Sequence, residues 1–161
     1  MPEKISEAKL PRGLSRLAFR LPIFLFHAHL GWIMGHRFLL LTHTGRKSGL
    51  PRQTVLEIVR YDKNTGACVV ASAWGMKSDW FQNVMANPKI VYQVQNRRIT
   101  GTAERLTAEE GAQELFEYAH HYRLAFRELA RFMGYRLDGS DEDIRAMGRI
   151  LPMFIFKPVM E

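Results

Sequence analysis

The spacing of apolar and polar positions predicts helices first, then strands, then a long helix and a closing strand. From Leu14 to Arg20 apolar residues recur at three and four, one helical face, and Pro22 is expected to reset the backbone. Ile23 to Gly35 predicts a second, more apolar helix that Gly35 can end, while residues 1–11 are polar and expected to be loose. Strands follow at Arg37–Thr44, Gln53–Tyr61 and Ala67–Ser72, each rich in large apolar or β-branched residues and separated by turn-forming sequences. Ser78 or Asp79 can cap a short helix, Trp80–Ala86. Lys89–Gln95 and Arg98–Leu106 read as a hairpin, and Thr107 with Glu110 forms a capping box that opens a long helix toward Met133. A short helix over Asp141–Arg149 and a last strand at Met153–Phe156 complete the pattern.

Short strands joined by tight turns favour a small barrel over a βαβ sheet. The expected class is α+β, mainly β: about six antiparallel strands, N-terminal helices, an inserted short helix and a long C-terminal helix. A helical segment, 1–36, packs on a barrel, 37–161, within one domain.

A chain of 161 residues suits one domain with a real core, and 47% hydrophobic against 24% charged residues is an ordinary globular balance. The net charge of +7 favours anionic partners. Its cations are scattered apart from one turn and Arg97-Arg98, so no nucleic-acid footprint is indicated. The single cysteine, Cys68, sits in an apolar run where a buried thiol is expected, consistent with a reducing cytoplasm. No stretch is apolar enough to span a membrane and no secretory signal is visible. The greasy N-terminal helix has two readings: a cover over the open barrel end, or an amphipathic anchor at the inner membrane face with Arg12, Arg16 and Arg20 toward lipid phosphates.

Two stretches carry candidate chemistry. Thr44-Gly45-Arg46-Lys47-Ser48-Gly49-Leu50-Pro51-Arg52 lies between two strands, so it reads as a hairpin tip with three cations. Such a tip either cradles an anion with backbone N–H groups and charge, or is a solvated basic turn. It is not a Walker loop, because a strand follows it where that motif needs a helix. The second stretch joins Ala71-Ser72, Trp74-Gly75 and Asp79-Trp80-Phe81-Gln82-Asn83: small residues at a strand end, a glycine loop and a helix N-terminus with aromatics. It suits a flat ring whose anionic part meets the helix, or a tryptophan corner filling the core. No Ser/His/Asp order, paired carboxylates or Cys/His metal spacing appears; His27 and His29 fall on different helix faces.

The run Arg37 to Arg52, followed by Val70-Ala71-Ser72, Asp79-Trp80-Phe81-Gln82-Asn83 and Ala86-Asn87-Pro88, closely resembles the deazaflavin-dependent nitroreductase family. The resemblance covers about residues 20 to 105. It implies a split β-barrel of the flavin-reductase type and the deazaflavin coenzyme F-420. It implies that Arg46, Lys47, Ser48 and Arg52 hold the cofactor's phosphate and acidic tail. Gln53, Thr54, Val55 and Leu56 then line the strand beneath, Ala71, Ser72 and Ala73 meet the ring, and Asp79, Trp80 and Asn83 help close the pocket. The implied activity is hydride transfer to an electron-poor acceptor such as a quinone, an activated alkene or a nitro compound. The cofactor carries the reactive atom, so no catalytic acid or base is required of the protein. Among Tyr118, Tyr122 and Tyr135, Tyr122 is a candidate substrate contact. Alternatives are an FMN-binding barrel reductase and a non-catalytic carrier of a cofactor or lipophilic anion. A homodimer is compatible with either.

Overall fold

The computed structural model describes residues 1–6 and 14–160, with residues 14–19 as backbone alone. Part of the segment expected to be loose, and the side chains of Arg12 and Arg16, lie outside the described residues. Eight strands and five α-helices follow in order: β1 Glu3–Lys4, α1 Leu14–His27, β2 Phe38–Thr44, β3 Pro51–Tyr61, β4 Cys68–Ala71, α2 Asp79–Ala86, β5 Lys89–Val94, β6 Arg97–Arg105, α3 Ala108–His121, α4 Arg123–Phe132, β7 Tyr135–Arg136, α5 Asp141–Ile150 and β8 Met153–Pro158. Six strands close an antiparallel barrel in the order β2-β3-β4-β8-β6-β5, while β1 and β7 form a separate two-stranded pair.

Alternation along the strands creates two cores. One face of β2, β3 and β4 sends Leu39, Leu41, Leu56, Ile58, Cys68 and Val70 into the barrel interior, where Tyr92, Phe154 and Phe156 meet them. The other face sends Val59, Val69 and Met153 outward against Leu115, Tyr118, Phe126 and Met147 of the helices. Cys68 is buried, and burial pushes its thiol up to about 12, which removes it as a nucleophile.

The structure corrects four expectations. Pro22 does not interrupt α1, which runs as one helix from Leu14 to His27. An interior proline loses one helical hydrogen bond and crowds the preceding turn, a cost set here against burial of Phe26 a turn later. The helix ends at His27, His29 takes φ 59° in the turn that follows, and Gly31–Met34 forms a separate 3-10 turn. At Gly31 a Cβ would stand 2.3 Å from the Gln95 carbonyl oxygen, so only glycine allows this approach.

Helix α2 sends Trp80, Phe81 and Val84 into the interior core. Helix α1 lies beside β3, where His27 Nε2 stands 2.6 Å from Gln53 Oε1. The predicted long helix after Thr107 is two, broken at Tyr122 (φ −130°, ψ 64°). The break lets Phe126 and Ala130 of α4 join the outer core that Leu115 and Ala119 of α3 already occupy. The Thr107–Glu110 capping box is present, with Glu110 N donating to Thr107 Oγ1 and Thr107 N donating to Glu110 Oε2. Finally, residues 3–4 are not loose but pair in register with 135–136.

Candidate functional site

The β2–β3 hairpin pairs His43 with Arg52 and Thr44 with Pro51, leaving Gly45–Leu50 as its tip. Gly45 N donates to the Leu50 carbonyl, Gly49 N donates to that of Gly45, and Gly49 sits at φ 70°. Ser48 Oγ accepts from Leu50 N at 3.2 Å, so this hydroxyl helps shape the turn. Lys47 and Arg52 are exposed.

Arg46 is held down onto α2. Its backbone N–H and its Nη1 both donate to Asn83 Oδ1, at 3.0 and 2.8 Å, and its guanidinium lies 3.3 Å from Asp79 Oδ1. The Asn83 Nδ2 group stands 3.2 Å from His43 Nδ1. Burial, reinforced by Arg52 and opposed by Asp79, lowers His43 to about 4, so the imidazole is neutral near pH 7 and its Nδ1 accepts from Asn83. One asparagine thereby fixes the tip, the helix and a buried histidine together.

Beyond the tip, β3 runs along a cavity of about 450 Å3, within the roughly 300–1,000 Å3 usual for small-molecule sites. Val55, Leu56 and Glu57 line it from β3, Ala71 and Ala73 from the end of β4, and Trp74 and Trp80 from the following loop and α2. Tyr118 of α3, Leu129 and Phe132 of α4, and Pro22 and Met34 of the N-terminal elements complete it. The lining is overwhelmingly apolar, with small residues where β4 ends.

The candidate residues therefore divide. Arg46, Lys47, Ser48, Arg52, Asp79 and Asn83 gather at the tip and the start of α2. Val55, Leu56, Ala71, Ala73 and Trp80 line the cavity, with the Leu56 side chain turned into the barrel. Gln53 bridges α1 and Thr42, and half-buried Thr54 pairs with Leu41. Ser72 is fully buried; its Oγ donates to the Gly75 carbonyl at 2.6 Å and lies 3.0 Å from Ser78 Oγ, holding the Trp74 loop. Tyr122 is 55% exposed and lines a neighbouring polar pocket, whereas Tyr118 reaches both pockets.

Sequence reasoning missed Glu57 and His43. Glu57 was marked by a charge inside Val55-Leu56-Glu57-Ile58-Val59, a run apolar on both faces. Its Oε1 accepts the Tyr118 hydroxyl at 2.5 Å and lies 3.6 Å from Arg37 Nη2. Burial first, and this bond second, raise the Tyr118 phenol above its ordinary value. Among the described residues no cluster of His, Cys, Asp or Glu has the makings of a metal site.

The residues present suit a deazaflavin: a cationic tip for an acidic, phosphorylated tail, and an apolar cavity bordered by alanines for a ring. Comparison with known proteins agrees. Residues 28–132 match the profile of the F420H(2)-dependent quinone reductase family. Among solved structures, an F420-H2 dependent reductase (FDR-A) is similar at 24% identity and TM-score 0.53, over 76% of this chain and 96% of that one. A structure described as a domain-swapped dimer is similar at 22% identity and TM-score 0.52, over 84% and 99%. A conserved hypothetical protein from Mycobacterium tuberculosis is similar at 13% identity and TM-score 0.54, over 96% and 87%. At these identities the three structures establish the fold, a split β-barrel, and the profile establishes the family. The chain belongs to the F420H(2)-dependent quinone reductases, oxidoreductases that use the deazaflavin coenzyme F-420.

Proposed function

We propose that this chain reduces a lipophilic quinone held in the 450 Å3 cavity, with the coenzyme's tail on the hairpin tip and its ring against β3 and the end of β4. The observation that carries this reading is the continuity of the two regions along β3: Arg52 stands at the cationic end, and Val55 and Glu57 stand in the apolar cavity. The bound coenzyme supplies a hydride, which is two electrons and one hydrogen, to the acceptor. The protein's own contribution is to bind, orient and keep water away. Lys47 and Arg52 attract the tail, and Arg46 reaches it by exchanging its contact with exposed Asp79. Ala71 and Ala73 leave space for a plane; Trp74, Leu129 and Phe132 exclude water from the acceptor.

The N-terminal elements support a membrane-surface location. Phe24, Trp32 and Ile33 are 60%, 59% and 56% exposed, and they stand beside Pro22 and Met34, which line the cavity. An apolar patch at a cavity rim suits entry of a quinone from a bilayer. No helix among the described residues is long and apolar enough to cross a membrane.

Fluorescence titration with coenzyme F-420, with flavin mononucleotide in parallel, tests the tail site. The Arg46→Ala, Lys47→Ala double variant is expected to fold and to weaken coenzyme binding by about 1.5–3 kcal/mol per lost charge-assisted contact. Unchanged affinity removes the tip from the site. For the membrane contact, tryptophan emission shifts to the blue on adding phosphatidylglycerol vesicles and does not in Trp32→Phe, and Phe24→Ser with Ile33→Ser abolishes vesicle flotation. Flotation that survives both changes contradicts it.

A further inference from the structure

Two cavities share a wall. The apolar one and a polar pocket of about 210 Å3 have Glu57, Val59 and Tyr118 in common. Of these three only Glu57 and Tyr118 carry exchangeable protons, and they are hydrogen-bonded to each other. Glu57 is about one-third exposed, and Tyr118 is 4% exposed. The polar side is lined by His36, Arg37, Arg60 and Lys63, whereas the lining of the apolar side holds no other carboxyl or phenol.

We propose that Glu57 and Tyr118 form a two-member relay that carries a proton from the polar pocket to an oxygen of the acceptor. This rests on the reading that the acceptor occupies the apolar cavity. A quinone becoming a hydroquinone takes up two electrons and two hydrogens. The hydride accounts for both electrons and one hydrogen, so one proton must reach the remaining oxygen. In the relay, the Tyr118 O–H bond breaks as the acceptor O–H bond forms. The Glu57 carboxyl O–H bond breaks as that of Tyr118 is restored, and the Glu57 carboxylate regains a proton from water in the polar pocket. The protein ends each cycle in its starting protonation state.

Order within the pair follows from the geometry. With Glu57 ionised, the Tyr118 hydrogen points at the carboxylate and away from the acceptor. A proton on Glu57 reverses the bond, because the carboxyl then donates to the phenol oxygen and frees the phenol hydrogen for the cavity. The relay is thus loaded only when Glu57 is protonated. The charged and titratable groups facing this pair come from several elements. His36 and Arg37 lie just before β2, Arg60 and Tyr61 lie at the end of β3, and Lys63 lies in the turn that follows it. From α3 come Tyr122, at its C-terminal cap, and Glu114, which engages Arg60 in a bidentate pair. Arg37 Nη2 lies 3.6 Å from Glu57 Oε1, on the side of the pair that faces the polar pocket.

Three readouts test the relay. In the protein without coenzyme, ultraviolet titration of tyrosinate, taken as the difference from Tyr118→Phe, follows Tyr118 alone; Glu57→Gln should make it ionise at lower pH. With coenzyme and a soluble quinone, Glu57→Gln and Tyr118→Phe should each lower kcat at least tenfold. Quinone affinity, read from tryptophan quenching, should change less than threefold. The fall of wild-type kcat with rising pH should be missing in Glu57→Gln. A tyrosinate titration unmoved by Glu57→Gln, or wild-type kcat and pH profile in that variant, overturns the relay. Ala73→Trp separates the underlying reading: it should block quinone quenching, and if quenching persists, the acceptor lies elsewhere and it is the cavity assignment that fails.

Discussion

Asn83 carries more of the site than its one side chain suggests. Its carbonyl oxygen takes two donors from Arg46 and its amide faces His43 Nδ1, all in a setting where it is 4% exposed. Asn83→Ala strands buried donors and acceptors, and should cost about 1–3 kcal/mol in urea unfolding together with weaker coenzyme binding. Asn83→Asp tests the electrostatics: the added charge beside Arg46 and Asp79 should weaken binding of an acidic tail without loosening the tip. His43 adds a pH dependence. Its folded value of about 4 lies below the ordinary 6.5, so between those values the unfolded chain takes a proton that the native state refuses. Stability from this group is whole above pH 6.5, is lost as pH falls toward 4, and changes no further below it. The loss amounts to up to about 3 kcal/mol, and urea midpoints of His43→Gln against pH should show a flatter decline through that window.

At the scale of elements, the strands were legible because their apolar runs were short and punctuated, and six of them appear where alternation put them. The helices were less so. Nothing local to Tyr122 announces a break, since Tyr122 to Met133 keeps a helical period; the break is imposed by where the outer core lies. The same holds for Ser72, a small residue at a strand end that suits ring contact by type but is turned inward by Gly75 and Ser78. The tip was readable because glycine, proline and cations specify a turn by their own chemistry, whereas the Glu57–Tyr118 pair joins residues 61 positions apart. Packing of α3 on α5 depends on backbone proximity. A Cβ at Gly148 would stand 2.6 Å from the Ala112 Cα and from the Gly111 carbonyl oxygen. Gly148→Ala should therefore destabilise the protein by about 1–3 kcal/mol, measured by urea unfolding, with coenzyme affinity retained because the pair is remote from the tip.

For the whole molecule, the excess of seven positive charges attracts anions at long range. Association with a polyanionic coenzyme should slow as salt is added, because the long-range field is screened within about 10 Å at 0.1 M. Stopped-flow binding from low to moderate ionic strength checks this, and a salt-independent rate contradicts it. The order of strands around the barrel reaches further, into how the protein is made. Strand β8 sits between β4 and β6, pairing Ala71 with Met153 and Ala103 with Phe156, yet it follows the other five barrel strands in the chain. Until it leaves the ribosome the nascent chain carries two bare strand edges, and the alanine wall of the cavity borders one of them. Ligand binding therefore cannot help the chain fold as it emerges, and a ribosome stalled before Met153 should present a chain that chaperones bind and the coenzyme does not.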